Sequence, residues 1–281
     1  MEALNPIGDA EPAVERIVLI GANITHSRSP RLHTTLFQRY RLPYRYHLMP
    51  LEAGEVLPAL DMMKRGGFRG ANVTSPHKQV VMMGLDDCSD AARAIGAVNT
   101  IVFERGRAMG DNTDVDGFRR SLLDVMPVAA PFSAAVLGTG GAALAAIHVL
   151  AGMEFLGALT IYSRVKQRAA RIAARWSDDR IRGDYLDNFH PADLVVHATP
   201  VGLAGDPRAL LDSSRLRGSG LLFEMIYSPA ETPLMLNARA AGVRAVGGRG
   251  MFIGQALRSF ALWTGVEAGV GDVPEGLFGE R

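Results

Sequence analysis

The sequence predicts an α/β protein in two units: an N-terminal βαβ substrate unit on a mainly parallel sheet, and a Rossmann dinucleotide-binding unit, with a cleft between. Three observations carry this. Short apolar runs that end in glycine or small polar residues alternate with helix-periodic stretches. The alternation starts twice, with a proline- and alanine-rich break at Val125–Ser133, VMPVAAPFS. The second run opens on a strand, a glycine turn and a helix, SAAVLGTGGAALAAIHVLAG.

In chain order, RIVLIG (Arg16–Gly21) reads as a buried strand ending in glycine. SPRLHTTLFQRYRL reads as a helix, with Ser29 as N-cap, Pro30 in the first helical position, and Leu32, Leu36 and Tyr40 every four residues. YRYHLMPL is a strand, EVLPALDMMKRGG a helix with a double-glycine stop, and FRGANVT a strand followed by a proline-led helix at SPHKQVVMMG. This βαβαβα order implies a parallel, covered sheet. After the break, AAVL, GALTIYSR, DLVVHATP, GLLFEMIY and VRAVGG read as strands. VKQRAARIAARW and TPLMLNARAAG read as helices, and the last helix, MFIGQALRSFALWTG, is strongly apolar. The expected units are residues 1–124, rejoined by a C-terminal helix at about 251–281, and residues 125–250.

Composition narrows the function classes. The 281 residues are 48% hydrophobic, enough for a sizeable core, and 30 basic against 29 acidic side chains leave +1. No basic excess marks a nucleic-acid binder. The single cysteine, Cys88, excludes an intrachain disulfide and fits a reducing, cytoplasmic setting. The acidic, proline-containing MEALNPIGDAEPAVER has no apolar core and is not expected to be a signal peptide, and no apolar run is long enough to span a bilayer.

Gly138, Gly140 and Ala143 give the G-x-G-x-x-A form of the dinucleotide fingerprint. The first glycine permits the turn, the second lets backbone approach a pyrophosphate at the positive end of the helix, and the third small residue packs helix on strand. About 20 residues on, where an acidic residue would read a ribose hydroxyl, the chain has SRVKQR. Arg164, Lys166 and Arg168 there oppose the helix dipole, which favours a nearby anion and so NADP over NAD. Four polar motifs fall at apparent strand ends, where open α/β sheets bind ligands: THSRSPRLH, NVTSPHK, GAVNT and GDNTDVDG. Each has a structural alternative. Ser27 or Ser29 would cap a helix, Asn99 sit in a turn, Asp111 or Asp114 cap VDGFRRSLL, and Lys78 lie in solvent. No zinc-spaced cluster surrounds His26 or His33.

Together with VLGTGGAALA, SRVKQRA, HATPVG, IYSPAETPL and GGRGMFIGQA, these motifs resemble, in order and spacing, those of the shikimate dehydrogenase family, from about Ile17 to Gly265. The resemblance implies a reversible, NADP-linked oxidation of shikimate at its 3-hydroxyl to 3-dehydroshikimate, run towards reduction on the route to aromatic amino acids. It implies Lys78 and Asp114 as the catalytic pair. Ser27 and Ser29 would hold the substrate carboxylate, and Thr74, Asn99, Tyr227 and Gln255 the ring hydroxyls. Gly138, Thr139, Gly140, Gly141, Ala142, Ser163, Arg164, Arg168, Thr199 and Gly248 would lie along the cofactor. Proton transfer must accompany hydride transfer, and Lys78 reads either as a free base or as half of a lysine–aspartate unit that passes the proton on. The partners implied are a small-molecule substrate, shikimate or a close analogue, and no nucleic acid or membrane, with the chain a monomer or homodimer. The sequence departs from the family pattern at Thr34 for asparagine, at Ser163-Arg164-Val165 for Asn-Arg-Thr, at His197 for the asparagine of NAT, and at Glu224 for aspartate. These departures keep open a quinate/shikimate or aminoshikimate dehydrogenase that also uses NAD. A non-catalytic metabolite-binding regulator is the third reading, which the intact Lys78 and Asp114 oppose.

Overall fold

A computed structural model describes residues 14–126 and 129–279. The N-terminal stretch read above, apart from its last residues, and Pro127–Val128 of the expected break lie outside them. The described chain forms two six-stranded sheets. The first contains β1 (Glu15–Gly21), β2 (Tyr44–Pro50), β3 (Phe68–Val73), β4 (Asp87–Cys88), β5 (Thr100–Glu104) and β6 (Arg107–Asp111), in the order β2-β1-β3-β5-β6-β4. Helices α1 (Ser29–Arg39), α2 (Val56–Lys64), α3 (Asp90–Ile95) and α4 (Asp114–Val125) connect or follow its strands. The second sheet contains β7 (Phe132–Leu137), β8 (Leu156–Ser163), β9 (Ile181–Tyr185), β10 (Leu194–His197), β11 (Leu221–Glu224) and β12 (Arg244–Val246). Its order is β12-β11-β10-β7-β8-β9 and every pair is parallel, with α5 (Gly141–Ala151), α6 (Lys166–Ala173), α7 (Ser213–Leu216) and α8 (Pro233–Ala240) between strands.

The first sheet is mainly parallel, with one strand reversed. β2, β1 and β3 run together and β4 runs with β6, but β5 is antiparallel to both β3 and β6. The reversal is a two-residue hairpin in which Arg105 and Gly106 both take positive φ, 51° and 76°, the twist that matches flanking antiparallel strands. The proline-led segment at Ser75 is not an α-helix. It forms a turn and then a 3-10 segment, Val80–Gly84, where two β-branched residues and a glycine leave little helix propensity. Ser29 is not the cap of α1 either. It is the first helical residue, and the hydroxyl of Ser27 accepts its backbone N–H at 3.2 Å.

The last helix, α9 (Arg249–Thr264), packs against the first sheet. Phe252, Leu257, Phe260 and Trp263 join Ile17, Leu32, Leu36 and Phe37 in one buried cluster. Burying each such side chain stabilises by about 1.5–3 kcal/mol. The Trp263 indole N–H reaches the carbonyl of Ile101 at 2.9 Å, so the ring enters the core with its polar atom satisfied. α9 also crosses α4 with backbones touching. A methyl at Gly254 would lie 3.0 Å from the Gly117 Cα, and one at Gly117 would lie 2.5 Å from the Met251 carbonyl oxygen. Glycine at both positions lets α4, which begins at Asp114, lie directly against α9 at Gln255.

Candidate active site

A cleft of about 820 Å³ opens at the carboxyl ends of β1 and β3. Ser27, Ser29, Thr74, Lys78, Asn99, Asp114, Tyr227 and Gln255 line it, as do Ala142 and Gly248 from the cofactor set. Gly138, Thr139, Gly140 and Gly141 form the adjoining turn from β7 into α5. Thr199 lies beside that turn, its methyl 3.2 Å from where a Cβ on Gly138 would stand. Ser163, Arg164 and Arg168 lie at and beyond the end of the neighbouring β8, outside the cleft lining.

The site draws its polar groups from strands of opposite direction. Lys78 follows β3 and Asp114 follows β6, while Asn99 immediately precedes β5. Because β5 is antiparallel to β3, its beginning lies at the edge where β3 ends. Lys78 Nζ donates to Asp114 Oδ2 at 2.5 Å, and both side chains are largely buried, 15% and 8% exposed. Asn99 Nδ2 donates to the other carboxylate oxygen at 2.8 Å. Asn99 Oδ1 in turn accepts from the backbone N–H of Thr113 at 2.7 Å and from the hydroxyl of Thr100 at 3.0 Å. Asp114 is thus not an N-cap. It sits in the first turn of α4, where the helix dipole favours a carboxylate, and its side chain is given to Lys78 and Asn99.

Behind this pair lies a buried layer that the sequence reading did not single out. Asn72 Nδ2 donates to the hydroxyls of Thr100 and Ser259 at 3.2 and 3.1 Å, and Tyr46 donates to Asn72 Oδ1 at 2.7 Å. Asn72 stands inside the quoted NVTSPHK, and Ser259 lies four residues after Gln255, on the same helix face. That spacing was the available signal. Tyr227 packs against Phe252 with ring centroids 4.4 Å apart and planes tilted by 40°. Burial pushes its phenol above the ordinary range, against the opposing hydrogen bond with Ser27.

The glycine turn fits a dinucleotide. Gly138 has φ of 127°, and a Cβ there would meet the Ala198 carbonyl oxygen at 2.7 Å, so the turn needs glycine. A Cβ on Gly140 would meet nothing within 4 Å, leaving its backbone open to a ligand. Ala143, in the first turn of α5, is fully buried. Of the three cations after β8, Lys166 pairs with Asp184 at 3.4 Å, whereas Arg164 and Arg168 are exposed with no ion pair among the described residues. The two regions also touch directly, since a Cβ on Gly141 would lie 2.8 Å from Lys78 Cδ.

Known proteins with this arrangement are shikimate dehydrogenases and their relatives. Residues 19–101 match the shikimate dehydrogenase substrate binding domain, and residues 248–273 match the shikimate 5'-dehydrogenase C-terminal domain. A shikimate dehydrogenase (NADP(+)) from Streptomyces avermitilis is 38% identical over 89% of this chain and 90% of its own. The crystal structure of shikimate 5-dehydrogenase from Thermus thermophilus in complex with NADP(H) and shikimate is 31% identical, with TM-score 0.81, covering 92% of this chain and 96% of that one. A quinate dehydrogenase from Corynebacterium glutamicum in complex with NAD is 30% identical, with TM-score 0.80, over 92% and 96% of the two chains. Matched along nine-tenths of its length in both sequence and fold, the chain belongs to the shikimate dehydrogenase family.

Proposed function

We propose that this chain is an NADP-dependent shikimate dehydrogenase that interconverts shikimate and 3-dehydroshikimate, with Lys78 and Asp114 as its catalytic pair. The observation that carries this reading is the 2.5 Å Lys78–Asp114 contact in a cleft beside the glycine turn. Bound NADP supplies the hydride acceptor or donor. Lys78 faces the substrate hydroxyl; in its amine form it takes the hydroxyl proton during oxidation, and the ammonium so formed returns it during reduction. Asp114, held by Asn99, accepts a hydrogen bond from Lys78 and keeps its Nζ in one place. Ser27 and Ser29 bind the carboxylate end. Thr74, Asn99, Tyr227 and Gln255 set the ring hydroxyls. Gly138 to Ala142, Ser163, Arg164, Arg168, Thr199 and Gly248 hold the dinucleotide, with Arg164 and Arg168 against the 2′-phosphate. This assigns residues 1–124 and the last helix to substrate and residues 125–250 to cofactor. The partners proposed are small molecules, with the chain in the cytoplasm as a monomer or homodimer, which light scattering resolves.

The test is steady-state kinetics with shikimate and with quinate, each with NADP and with NAD, on wild type and Lys78→Ala. Turnover of shikimate with NADP that falls by orders of magnitude in Lys78→Ala, with cofactor still bound, supports the reading. Quinate preferred with NAD makes the chain a quinate dehydrogenase, which Ser163 and Val165 in the phosphate-binding stretch favour. No turnover with either acid leaves a metabolite-binding regulator.

A further inference from the structure

His197 and Glu224 end neighbouring parallel strands, β10 and β11, and face one another in register. Both side chains are fully buried. His197 Nδ1 lies 2.9 and 2.8 Å from the two carboxylate oxygens of Glu224. Glu224 Oε1 also accepts the backbone N–H of Ile226 at 3.0 Å, and Oε2 accepts the hydroxyl of Thr232 at 2.8 Å. The Thr232 oxygen itself accepts from Met235 N–H, which leaves its proton for Glu224. Every other neighbour of the carboxylate is therefore a donor, and His197 Nδ1 carries a hydrogen towards it. The opposite ring nitrogen, Nε2, is thereby aimed at the Thr199 hydroxyl, 2.6 Å away.

Thr199 is where this chain of bonds reaches the glycine turn. Its Oγ1 also accepts the backbone N–H of Val201 at 3.3 Å. A hydroxyl has three hydrogen-bonding positions, and two are filled. The residue is half-buried against Gly138, at the turn proposed to hold the cofactor. A buried His–Glu pair is weak support for stability, because desolvation offsets its attraction. Two apolar side chains would join the strand ends as well. The two residues at which the sequence departs from its family pattern here are thus one unit, each the partner of the other.

We propose that His197 and Glu224 are a positioning pair that fixes the Thr199 hydroxyl so that its third hydrogen-bonding position meets the bound dinucleotide. This rests on the reading of the glycine turn as a cofactor site. The test is the dissociation constant of NADPH for the whole protein, from fluorescence titration, for Thr199→Val, Thr199→Ser, Glu224→Gln and the double variant Thr199→Val/Glu224→Gln, alongside KM for shikimate and the melting temperature. Thr199→Val is expected to weaken NADPH about tenfold, the worth of one hydrogen bond, and Thr199→Ser to restore it. Glu224→Gln sets an amide NH2 against donors, loosens the relay and weakens NADPH several-fold, with KM for shikimate within about twofold. The double variant is expected to match Thr199→Val alone, because the pair acts through that hydroxyl. Effects that multiply in the double variant, or a folded Glu224→Gln with wild-type NADPH affinity, overturn the proposal. If Glu224→Gln does not fold, His197→Asn replaces it: asparagine still donates to Glu224 but does not reach Thr199, and unchanged NADPH affinity there overturns the proposal equally. Wild type that fails to bind NADPH refutes the cofactor reading itself, and is distinct from these outcomes.

Discussion

His33 on α1 is a histidine sealed in the core. It is fully buried, its ring lies 4.7 Å from Tyr46 and 5.1 Å from Trp263, and neither ring nitrogen has a hydrogen-bond partner among the described residues. Burial without a partner disfavours the imidazolium and lowers the group from 6.5 to about 3. Above 6.5 the ring is neutral folded and unfolded, and it contributes no pH dependence. As the pH falls below 6.5 the unfolded chain takes a proton that the folded chain refuses, so stability declines until the folded group titrates near 3. At about pH 5, one and a half pH units below the ordinary value, the loss is about 2 kcal/mol at about 1.36 kcal/mol per unit. The perturbation is His33→Leu, which removes the titrating group and two unpaired nitrogens. At about pH 7.5 it should lie within about 1 kcal/mol of wild type, because lost ring stacking opposes the gain from removing buried unpaired atoms. Urea titrations of both proteins at the two pH values give the difference of differences, in which all other titrating groups cancel. The variant should gain about 2 kcal/mol on wild type between about pH 7.5 and 5. A gap that is the same at both pH values refutes the assignment of His33 as a neutral, unpartnered core residue.

Three further outcomes follow from the site. Asn99→Ala leaves Asp114 Oδ1 and the Thr113 N–H without their partner, and should cost about 1–3 kcal/mol of stability in urea titration and at least about tenfold in kcat. Gly141→Ala brings a methyl to 2.8 Å from Lys78 Cδ, and displacing the lysine should lower kcat about 10- to 100-fold with a melting temperature near wild type; an unchanged kcat refutes the contact as part of the working site. Arg164→Ala/Arg168→Ala should raise KM for NADP by about tenfold or more while leaving KM for NAD within about twofold, and an equal rise for both cofactors removes these residues from the 2′-phosphate.

The parts of the fold legible in the sequence are those encoded locally. The glycine turn, the strand before it and the helix after it are contiguous, and each glycine there answers a local demand, such as the positive φ of Gly138. The strands β1, β7 and β10 are largely apolar runs with clear stops. The misread parts depend on partners distant in sequence or on weak local signals. The hairpin at Arg105–Gly106 carries arginine instead of asparagine or glycine at its first positive φ, so the chain reversal that sets β6 against β5 has no strong turn dipeptide. β9, Ile181–Tyr185, is an edge strand of mixed polarity and shows no apolar run. His197 and Glu224 lie 27 residues apart and look like separate substitutions until β10 and β11 align them.

The antiparallel reversal is also what makes the site compact. In an all-parallel sheet only the residues after each strand reach the carboxyl edge, and one strand supplies one loop. Here the hairpin sends the chain away from that edge and back within a dozen residues, so that Asn99 before β5 and Asp111 to Asp114 after β6 stand together beside Lys78. The same reversal makes Asn99 rigid. Its carbonyl oxygen accepts from Thr113 N–H and from the Thr100 and Thr113 hydroxyls, which forces its NH2 towards Asp114 Oδ1. With one carboxylate oxygen held in this way, the other is left for Lys78. The hydroxyls that fix Asn99 are themselves bound to Ser259 of α9, which the glycine crossing with α4 brings against the sheet. The position of Lys78 thus depends on a hairpin that one arginine–glycine turn closes and on a helix more than 160 residues later in the chain. Substitutions at Ser259 or Gly254, remote from any reacting atom, act on the site through that single line of contacts.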